Sequence, residues 1–466
     1  MEQKRNTFSS SIGFVLAAAG SAVGLGNIWR FPYLAAKNGG GLFLVVYIVL
    51  ALTFGFTLLV SEVAIGRKTK QSCLTAYGKV SNKWGWLGGF ASAVPFLIFP
   101  YYCVIGGWVL KYCVVFITGQ GLDAAEGSFF TDFISNPVEP IVYFVIFLAA
   151  TCLVVYRGVN KGIEALSKVL MPALLVLIVG IAVYSLTIND SEEGGRTGLD
   201  GFLIYVVPNF EGMTVGGFIH VVMDAMGQLF YSISVAMGIM VAYGSYCKDD
   251  SNLMKSVNQI EFFDTIVAFL AGVMIIPAVY VFLGNSGLQN AGPGLMFVAL
   301  PQVFAQMGIA GRIFGSVFFL MVLFAALTSS VSILEAVASG IIDKAKVSRK
   351  SATLIESGIG LVLGLIVCFG YTFWLFEITL PNGNKAQILD IFDYLSNSIL
   401  MPIVAIGTCI LIGWIAKPKF VIDEVTKNGE KFFRKRLYVV MVKVVAPILL
   451  FVLFLSSLGV DRMLNI

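Results

Sequence analysis

Long apolar runs separated by short polar segments dominate the chain. A helix needs about 20 apolar residues to cross the roughly 30 Å hydrocarbon core of a bilayer, and the runs reach or exceed that length. They predict eleven transmembrane helices, at 12–35, 41–66, 87–118, 139–156, 163–187, 217–246, 256–284, 312–342, 352–376, 388–416 and 437–459. The pattern therefore predicts an all-α integral membrane protein.

Composition supports this class of protein. Of 466 residues, 58% are hydrophobic and only 12% are charged, and a water-soluble domain has nowhere to bury so much apolar surface. The seven cysteines show no metal-ligand spacing, and the single histidine, His220, argues against a histidine-ligated metal. The first apolar run lacks a signal-peptide cleavage pattern and is kept as a helix. We expect 1–466 to form one transmembrane domain.

Basic residues concentrate on one side of the predicted membrane. Most of the 31 lysines and arginines lie in segments on the N-terminal side. The opposite loops, 119–138 and 188–215, contain acidic residues and a single arginine, Arg196. By the positive-inside rule we expect a cytoplasmic N-terminus in a plasma membrane of the bacterial type. An odd number of helices then places the C-terminus outside.

The first predicted helix contains an unusual stretch, GSAVGLGNIWRFPY at 20–33. Glycine costs a helix interior about 1 kcal/mol relative to alanine, and an arginine at membrane depth needs a partner or a water-filled cavity. A broken helix would free carbonyl groups that can bind a hard cation, provided that they are buried in protein or line a cavity. Close helix packing through Gly20, Ala22 and Gly24 is the alternative, and this stretch alone leaves both open.

A second stretch of small and polar residues, GQLFYSISVAMG at 227–238, occurs five predicted helices later. Five is odd, so the two stretches lie in helices of opposite orientation. We therefore predict inverted repeats at 1–187 and 217–416, with 437–459 as an extra helix. Paired interruptions in two halves indicate a transporter site near the bilayer midplane.

Polar residues in other predicted helices are consistent with such a site. The eighth helix contains Thr328, Ser329 and Ser330 in succession, and the seventh contains Asp264. Hydroxyl and carbonyl oxygens suit a hard cation such as sodium, and an intramembrane carboxylate indicates a functional site. A single hydroxyl more often bonds back to the carbonyl four residues earlier. Glu62 is open to a functional or a bracing role.

Two loops differ from ordinary connections. Residues 285–311 are uncharged and apolar, with several glycines and prolines, which predicts short helices folded over a cavity as a candidate lid. Residues 417–436 alternate lysines with apolar residues, which suits a surface helix on an anionic leaflet. A solvated charged loop fits the second pattern equally well.

Together these features resemble the neurotransmitter:sodium symporter family in its bacterial eleven-helix form. The resemblance covers nearly the whole chain and rests on 20–33, 38–41 (NGGG), 100–102 (PYY), 232–238 (SISVAMG) and 327–330 (LTSS). It implies the LeuT-like fold, a 5+5 inverted repeat in which helices 1 and 6 are broken. Ala236 departs from the family pattern, which commonly has glycine in the second break.

The resemblance also implies two sodium sites. The first would comprise the Ala22 carbonyl and the side chains of Asn27, Ser232 and Asp264, completed by a carboxylate of the substrate. The second would comprise the carbonyls of Gly20, Val23 and Ala325 and the hydroxyls of Thr328 and Ser329. The charge of Asp264 would make chloride unnecessary.

The substrate class depends on Gly24. Relatives that carry monoamines resemble one another in having an aspartate there, which supplies the charge that an amine lacks. With glycine at this position we expect the substrate to bring its own carboxylate, as an α-amino acid does. That carboxylate would meet Leu25 and Gly26 at a helix N-terminus and the Tyr102 phenol. The resemblance implies that the rest of the pocket comprises Ser21, Ala22, Ile98, Tyr231, Ser232, Ser234, Met237, Ser329 and Ile333. None of these residues is charged, which predicts a neutral amino acid.

Two charge pairs are implied as gates by the same resemblance. Arg30 and Asp393 would close the outer side, and Arg5 and Asp343 the inner side. An ordinary solvated charge is a poor alternative for Arg30 because of its depth. For Arg5 and Asp343 that alternative stays open, since surface pairs contribute little stability.

From sequence alone we therefore expect a sodium-driven symporter that imports a neutral amino acid by alternating access, with substrate and bilayer as partners and no nucleic acid. A sensor that binds an amino acid without transporting it is the main alternative, and sodium-driven accumulation would separate the two. A membrane enzyme is disfavoured because no catalytic constellation is present. A channel is disfavoured because the breaks are two and inverted, not repeated around a ring. The sequence leaves the amino acid and the oligomeric state open.

Overall fold

The computed structural model describes residues 7–189 and 195–460, and these are almost entirely helical. In chain order the helices are Ser11–Ala22 (α1), Gly26–Lys37 (α2), Gly41–Thr69 (α3), Cys73–Val80 (α4), Asn82–Ile117 (α5), Phe129–Ile134 (α6), Glu139–Tyr156 (α7), Val159–Thr187 (α8), Gly198–Val206 (α9), Val215–Ser232 (α10), Ile239–Ser245 (α11), Leu253–Gly287 (α12), Leu300–Gln306 (α13), Gly308–Ala345 (α14), Arg349–Phe369 (α15), Ile388–Ile415 (α16), Lys419–Val425 (α17) and Lys435–Ser457 (α18). Short helical turns occupy Asp123–Ala125, Gly292–Gly294 and Leu295–Ala299, and Ile378–Thr379 (β1) pairs antiparallel with Lys385–Ala386 (β2).

Apolar helices long enough to cross a bilayer confirm the predicted all-α membrane fold. Within the described ranges nine helices meet that condition, and the bent pair α1 and α2 brings the number to ten. The pair α10 and α11 lies where the sixth helix was expected, so the total of eleven stays a prediction. Most helix ends fall within a few residues of the expected ones. The ninth is the exception, because α15 ends at Phe369 and not near 376.

Close backbone contacts hold the helices together around α14, which packs against α1, α5, α7, α8 and α15. Glycine permits a close approach of two helices at Gly66 on α3, where a Cβ atom would lie 2.0 Å from the carbonyl oxygen of Val241 on α11. Interiors packed at this density transmit small displacements from one helix to the next. The backbones of α3 and α11 are therefore in direct contact.

The two unusual loops are both ordered against the helices. The loop around 292–306 is helical, as predicted, and the buried Phe297 ring stacks on Phe130 with centroids 5.0 Å apart. The predicted surface helix of 417–436 is shorter than expected, since only α17 is helical and residues 426–434 form turns. Its Glu424 pairs with the buried Arg67 on α3, at 2.6 Å. This segment is therefore anchored to the core and is not a freely solvated loop.

Candidate functional site

The first predicted break separates α1 from α2. Helix α1 ends at Ala22, Val23 has extended backbone angles (φ −74°, ψ 92°), and α2 continues at 51° to α1. Gly24 lies in the break, and a Cβ atom there would lie 2.9 Å from Oγ of Ser329. Any larger residue at this position therefore requires its neighbours to shift.

The second break occupies residues 233–238, between α10 and α11. Ser234, Ala236 and Gly238 have φ values of 54°, 60° and 69°, a left-handed region that L-residues other than glycine rarely adopt. The Ala236 amide donates a 2.6 Å hydrogen bond to Oε1 of Glu62 on α3. Oγ of Ser234 donates to the Ser21 carbonyl at 3.0 Å. Glu62 thus braces the second break, and the two breaks touch each other.

Carbonyl oxygens freed by the first break gather against α14. The carbonyls of Gly20, Ser21 and Val23 lie 3.3, 3.2 and 3.4 Å from Oγ of Ser329. One hydroxyl proton cannot satisfy three acceptors. The adjacent Thr328 hydroxyl lies 3.1 Å from the carbonyl of Ala325. This cluster contains every residue expected for the second sodium site, together with the unexpected Ser21 carbonyl, and its oxygen ligands suit a hard cation.

Asp264 on α12 collects the residues expected for the first sodium site. Its fully buried carboxylate accepts hydrogen bonds from Oγ of Ser232 at 2.6 Å and from Nδ2 of Asn27 at 2.9 Å. The Tyr47 hydroxyl lies 3.4 Å away. A buried carboxylate needs such compensation, and a cation beside it would supply more. Ala22, which ends α1, lines the cavity next to this cluster.

A cavity lies between the two breaks. All twelve residues expected to contact the substrate line it, and Gly24, Asn27 and Ile239 complete the wall. The twelve are Ser21, Ala22, Leu25, Gly26, Ile98, Tyr102, Tyr231, Ser232, Ser234, Met237, Ser329 and Ile333. No charged side chain belongs to this lining within the described part of the chain.

One corner of the cavity contains the Tyr102 hydroxyl and the N-terminus of α2, which can both donate hydrogen bonds to a ligand. Oη of Tyr102 is buried and makes no hydrogen bond of standard geometry among the residues that the structure describes, although the Ser329 hydroxyl and the Leu25 amide lie near it. A Cβ atom at Gly24 would lie 3.2 Å from it, and the N-terminus of α2 begins at Gly26 beside it. An unsatisfied buried hydroxyl costs about 1–3 kcal/mol, and a helix N-terminus favours negative charge. The corner therefore fits a carboxylate.

Another part of the cavity wall is apolar. Ile98, Met237 and Ile333 line it, and the Tyr231 ring packs so closely over Gly26 that a Cβ atom there would lie 2.8 Å from the ring. Methionine adapts its shape to differently sized groups. This wall accepts an uncharged side chain.

The expected outer gate is not closed by an ion pair. Asp393 accepts hydrogen bonds from the Tyr101 hydroxyl at 3.0 Å and from Nδ2 of Asn397 at 2.6 Å. Arg30 is exposed and, within the described ranges, forms no ion pair with Asp393 inside 4 Å. A guanidinium nitrogen of Arg30 instead lies near Gly227 on α10.

At the predicted inner end, aromatic rings cover a buried ion pair. Phe8 is 2% exposed, its amide donates to the Tyr246 carbonyl at 3.1 Å, and its ring meets Tyr243 edge-on. The Tyr246 hydroxyl donates to Oε1 of Glu335 at 2.5 Å, and Arg349 pairs with Oε2 at 2.5 Å. The inner end of the cavity is therefore closed.

The expected inner gate is described only in part. Oδ2 of Asp343 accepts a 2.6 Å hydrogen bond from the amide of Ser72. Arg5 lies outside the described residues. The expected pair of Arg5 and Asp343 therefore stays a prediction.

Several site residues were missed by the sequence analysis. Ile239 and Tyr47 carry no polar pattern that marks them in an apolar helix. The Glu335 and Arg349 pair could have been found, because Glu335 is a carboxylate inside a predicted membrane helix. The Ser21 carbonyl could not have been found from the sequence, since every residue has a backbone carbonyl.

Comparisons with known proteins extend over nearly the whole chain. The model of the Sodium:neurotransmitter symporter family matches residues 5–124 and 130–464. The chain is 35% identical over 468 residues to the uncharacterized sodium-dependent transporter YhdH of Bacillus subtilis, covering 98% of this chain and 99% of that one. An uncharacterized sodium-dependent transporter of Haemophilus influenzae is 31% identical over 473 residues, with 98% and 99% covered.

A solved structure with the LeuT-like fold matches as well. The crystal structure of MhsT in complex with L-phenylalanine has a TM-score of 0.84 and 35% identity to this chain, covering 97% of this chain and 100% of that one. Members of the matched family are transporters and not enzymes. The resemblance expected from the motifs is thus confirmed, and the chain belongs to the sodium:neurotransmitter symporter family.

Proposed function

We propose that this sodium-dependent symporter imports a neutral α-amino acid with two sodium ions by alternating access. The observation that carries the proposal is the unpartnered Oη of Tyr102, which faces the space left by Gly24 in a cavity without a charged lining. A substrate carboxylate would satisfy this hydroxyl. An amine lacking a carboxylate would leave it unsatisfied.

Sodium and substrate couple because they share a site. The cluster of Asn27, Ser232 and Asp264 adjoins the same cavity, so that the substrate carboxylate completes the shell of the first sodium ion. Each ligand then strengthens the binding of the other by the same factor. The second ion would sit among the carbonyls of Gly20, Val23 and Ala325 and the hydroxyls of Thr328 and Ser329. We further propose that the Asp264 carboxylate replaces chloride.

The apolar wall sets the range of side chains. Met237 can move to admit a larger group, and the similar protein MhsT was solved in complex with L-phenylalanine. Both observations favour a large neutral side chain over glycine or a charged one. Exclusion of charged amino acids follows, since an ion buried against Ile98 and Ile333 would lose its hydration without a partner.

The membrane arrangement is part of the same proposal. The excess of basic residues on one side favours a cytoplasmic N-terminus and an external C-terminus in the plasma membrane. Contact between the two breaks, through Ser21 and Ser234, supports inverted repeats at 1–187 and 217–416 with 437–459 added. Arg30 with Asp393, and Arg5 with Asp343, would then close the two ends in turn.

Uptake into proteoliposomes tests the proposal. We expect radiolabelled neutral amino acids, selected by a thermal-shift screen of all twenty with and without sodium, to accumulate only under an inward sodium gradient. Equal uptake in potassium or choline buffer would overturn the proposal. Binding without accumulation would favour the sensor instead.

A matched pair of variants tests the carboxylate corner. Tyr102→Phe removes only the unpartnered hydroxyl, and we expect it to weaken amino-acid binding about tenfold, the loss of a hydrogen bond to a charged group. Tyr101→Phe removes the neighbouring hydroxyl that bonds Asp393 and should change substrate affinity less than twofold. If the two variants behave alike, Tyr102 does not bind the carboxylate.

A further inference from the structure

A surface cleft lies on the predicted cytoplasmic side, away from the transport site. It lies between the start of α12 and the segment that precedes α18. Its lining includes Lys255, Phe262, Lys431, Phe433 and Arg434. The cleft therefore combines cationic and aromatic side chains.

The lysines in this cleft are available to bind an anion. Lys255 and Lys431 are exposed, and neither forms an ion pair within the described residues. Arg434 is occupied, since it pairs with Glu261 at 2.8 Å and stacks over the Phe56 ring at 3.5 Å. Arg434 thus anchors the segment. The two lysines exceed the carboxylate of Glu430, which also lines the cleft, by one positive charge.

The aromatic side chains of the cleft are exposed to an unusual degree. Phe433 is 89% exposed and Phe262 is 62% exposed. Aromatic side chains beside unpaired lysines at the end of a membrane helix suit the boundary between headgroups and acyl chains. A small water-soluble anion would use the lysines and leave these rings without a function.

An apolar groove continues from the cleft along the membrane surface of the protein. It lies between α3 and α12 and is lined by Leu44, Tyr47, Ile48, Ile266 and Phe269, among others. Phe262 lines both the cleft and the groove. The charged cleft and the apolar groove are therefore continuous at one side chain.

The dimensions match one leaflet of a bilayer. Phe262 follows Lys255 by seven residues, and Phe269 follows Phe262 by seven more. Lys255 and Phe269 are therefore about 20 Å apart along α12. The hydrocarbon of one leaflet is about 15 Å deep. A headgroup at the lysines would thus place an acyl chain along the groove.

We propose that the cleft and the groove together bind one anionic phospholipid of the phosphatidylglycerol class. Its phosphate lies between Lys255 and Lys431, and one acyl chain passes Phe262 into the groove. Tyr47 lines the groove, and its hydroxyl lies 3.4 Å from Asp264. The lipid therefore reaches a neighbour of the predicted sodium site, although its binding does not depend on the proposed transport function.

Native mass spectrometry of the delipidated full chain in detergent tests the proposal. We expect one phosphatidylglycerol to bind at least tenfold more tightly than phosphatidylcholine with the same acyl chains. Each lysine near an anionic headgroup contributes about fivefold, so the double variant Lys255→Ala, Lys431→Ala should bind about 25-fold more weakly. The double variant Lys79→Ala, Lys83→Ala removes two exposed lysines outside the cleft and should change binding less than twofold.

Two further measurements separate the lipid from other occupants. Glycerol 3-phosphate and a short-chain phosphatidylglycerol test the headgroup without a full acyl chain, and we expect neither to bind tightly. Thermal midpoints should rise with phosphatidylglycerol in the wild type and in the Lys79 and Lys83 variant only, because a ligand of the folded state stabilises it. Equal binding of phosphatidylcholine, equal effects of the two double variants, or tight binding of glycerol 3-phosphate would each overturn the proposal.

Discussion

Replacing Gly24 with aspartate places a fixed carboxylate where the substrate carboxylate is proposed to bind. The new Cβ atom would lie 2.9 Å from Oγ of Ser329 and 3.2 Å from Oη of Tyr102, so the side chain enters this corner of the cavity. Two carboxylates about 4 Å apart repel each other by about 4 kcal/mol at an effective dielectric constant near 20. We expect amino-acid affinity to fall about a thousandfold.

A neutral variant of the same size separates charge from steric effects. Gly24→Asn presents nearly the same shape without the charge, and it should lose affinity through steric shift alone. Sodium-dependent thermal shifts are measured with each amino acid and with the amine that lacks its carboxylate. Comparing the two variants separates the affinity that is lost to charge repulsion from the affinity that is lost to the steric shift. We expect the aspartate variant to prefer the amine over the amino acid, while the asparagine variant does not.

Two results would contradict the proposed position of the substrate carboxylate. If the aspartate and asparagine variants lose the same affinity, charge repulsion is not the cause and the carboxylate lies elsewhere. If the aspartate variant still accumulates amino acids under a sodium gradient, the pocket itself has been misassigned.

Further predictions concern the ions and the packing of the helices. Ser329→Ala removes the hydroxyl shared by three carbonyls, and the sodium concentration for half-maximal uptake should rise at least tenfold. Ser330→Ala is the control, because the Ser330 hydroxyl forms its hydrogen bonds elsewhere, and it should change that sodium concentration less than twofold. Gly66→Ala drives a Cβ atom into a backbone carbonyl and should abolish monodisperse protein in size-exclusion chromatography, whereas Gly358→Ala, with nothing within 4 Å, should elute normally. Because the Asp264 carboxylate is proposed to replace chloride, replacing chloride with gluconate should leave initial uptake rates unchanged, and a drop of more than half would contradict that role.

The lengths of the apolar runs predicted most of the fold because a bilayer imposes a minimum length on each helix that crosses it. The thickness of the hydrocarbon core sets the length of each helix, and every backbone group must find its partner within the helix. The end of α15 was misplaced because Phe373 and Trp374 are as apolar as a helix interior, although both are exposed in a turn. Hydrophobicity alone does not show where an apolar segment leaves the membrane.

The candidate site was found by its exceptions to the helical pattern. Gly24 and Asn27 are costly in a membrane helix, and that cost marked the break. Tyr47 and Ile239 fit their helices without cost, so their positions beside Asp264 and the cavity emerge only from the packing. The left-handed Ala236 was not predictable either, since its support comes from Glu62, which is far away in the sequence.

The predicted inner end of the cavity is closed over a buried ion pair, whereas Arg30 and Asp393, both described by the structure, form no ion pair within 4 Å at the predicted outer end. This difference bears on how transport is driven. At the inner end, opening must separate Tyr246 and Arg349 from the buried Glu335, and stripping a partner from a buried charge costs about 3–5 kcal/mol. Such a change needs ligands that bind the two conformations with different affinity. The carbonyl cluster joins α1 to Ser329 on α14, so a sodium ion there would hold α1 in place and keep the inner end closed. Loss of that ion to a sodium-poor cytoplasm is therefore the event that we expect to release α1, after which Phe8 can leave Tyr246 and the substrate can follow.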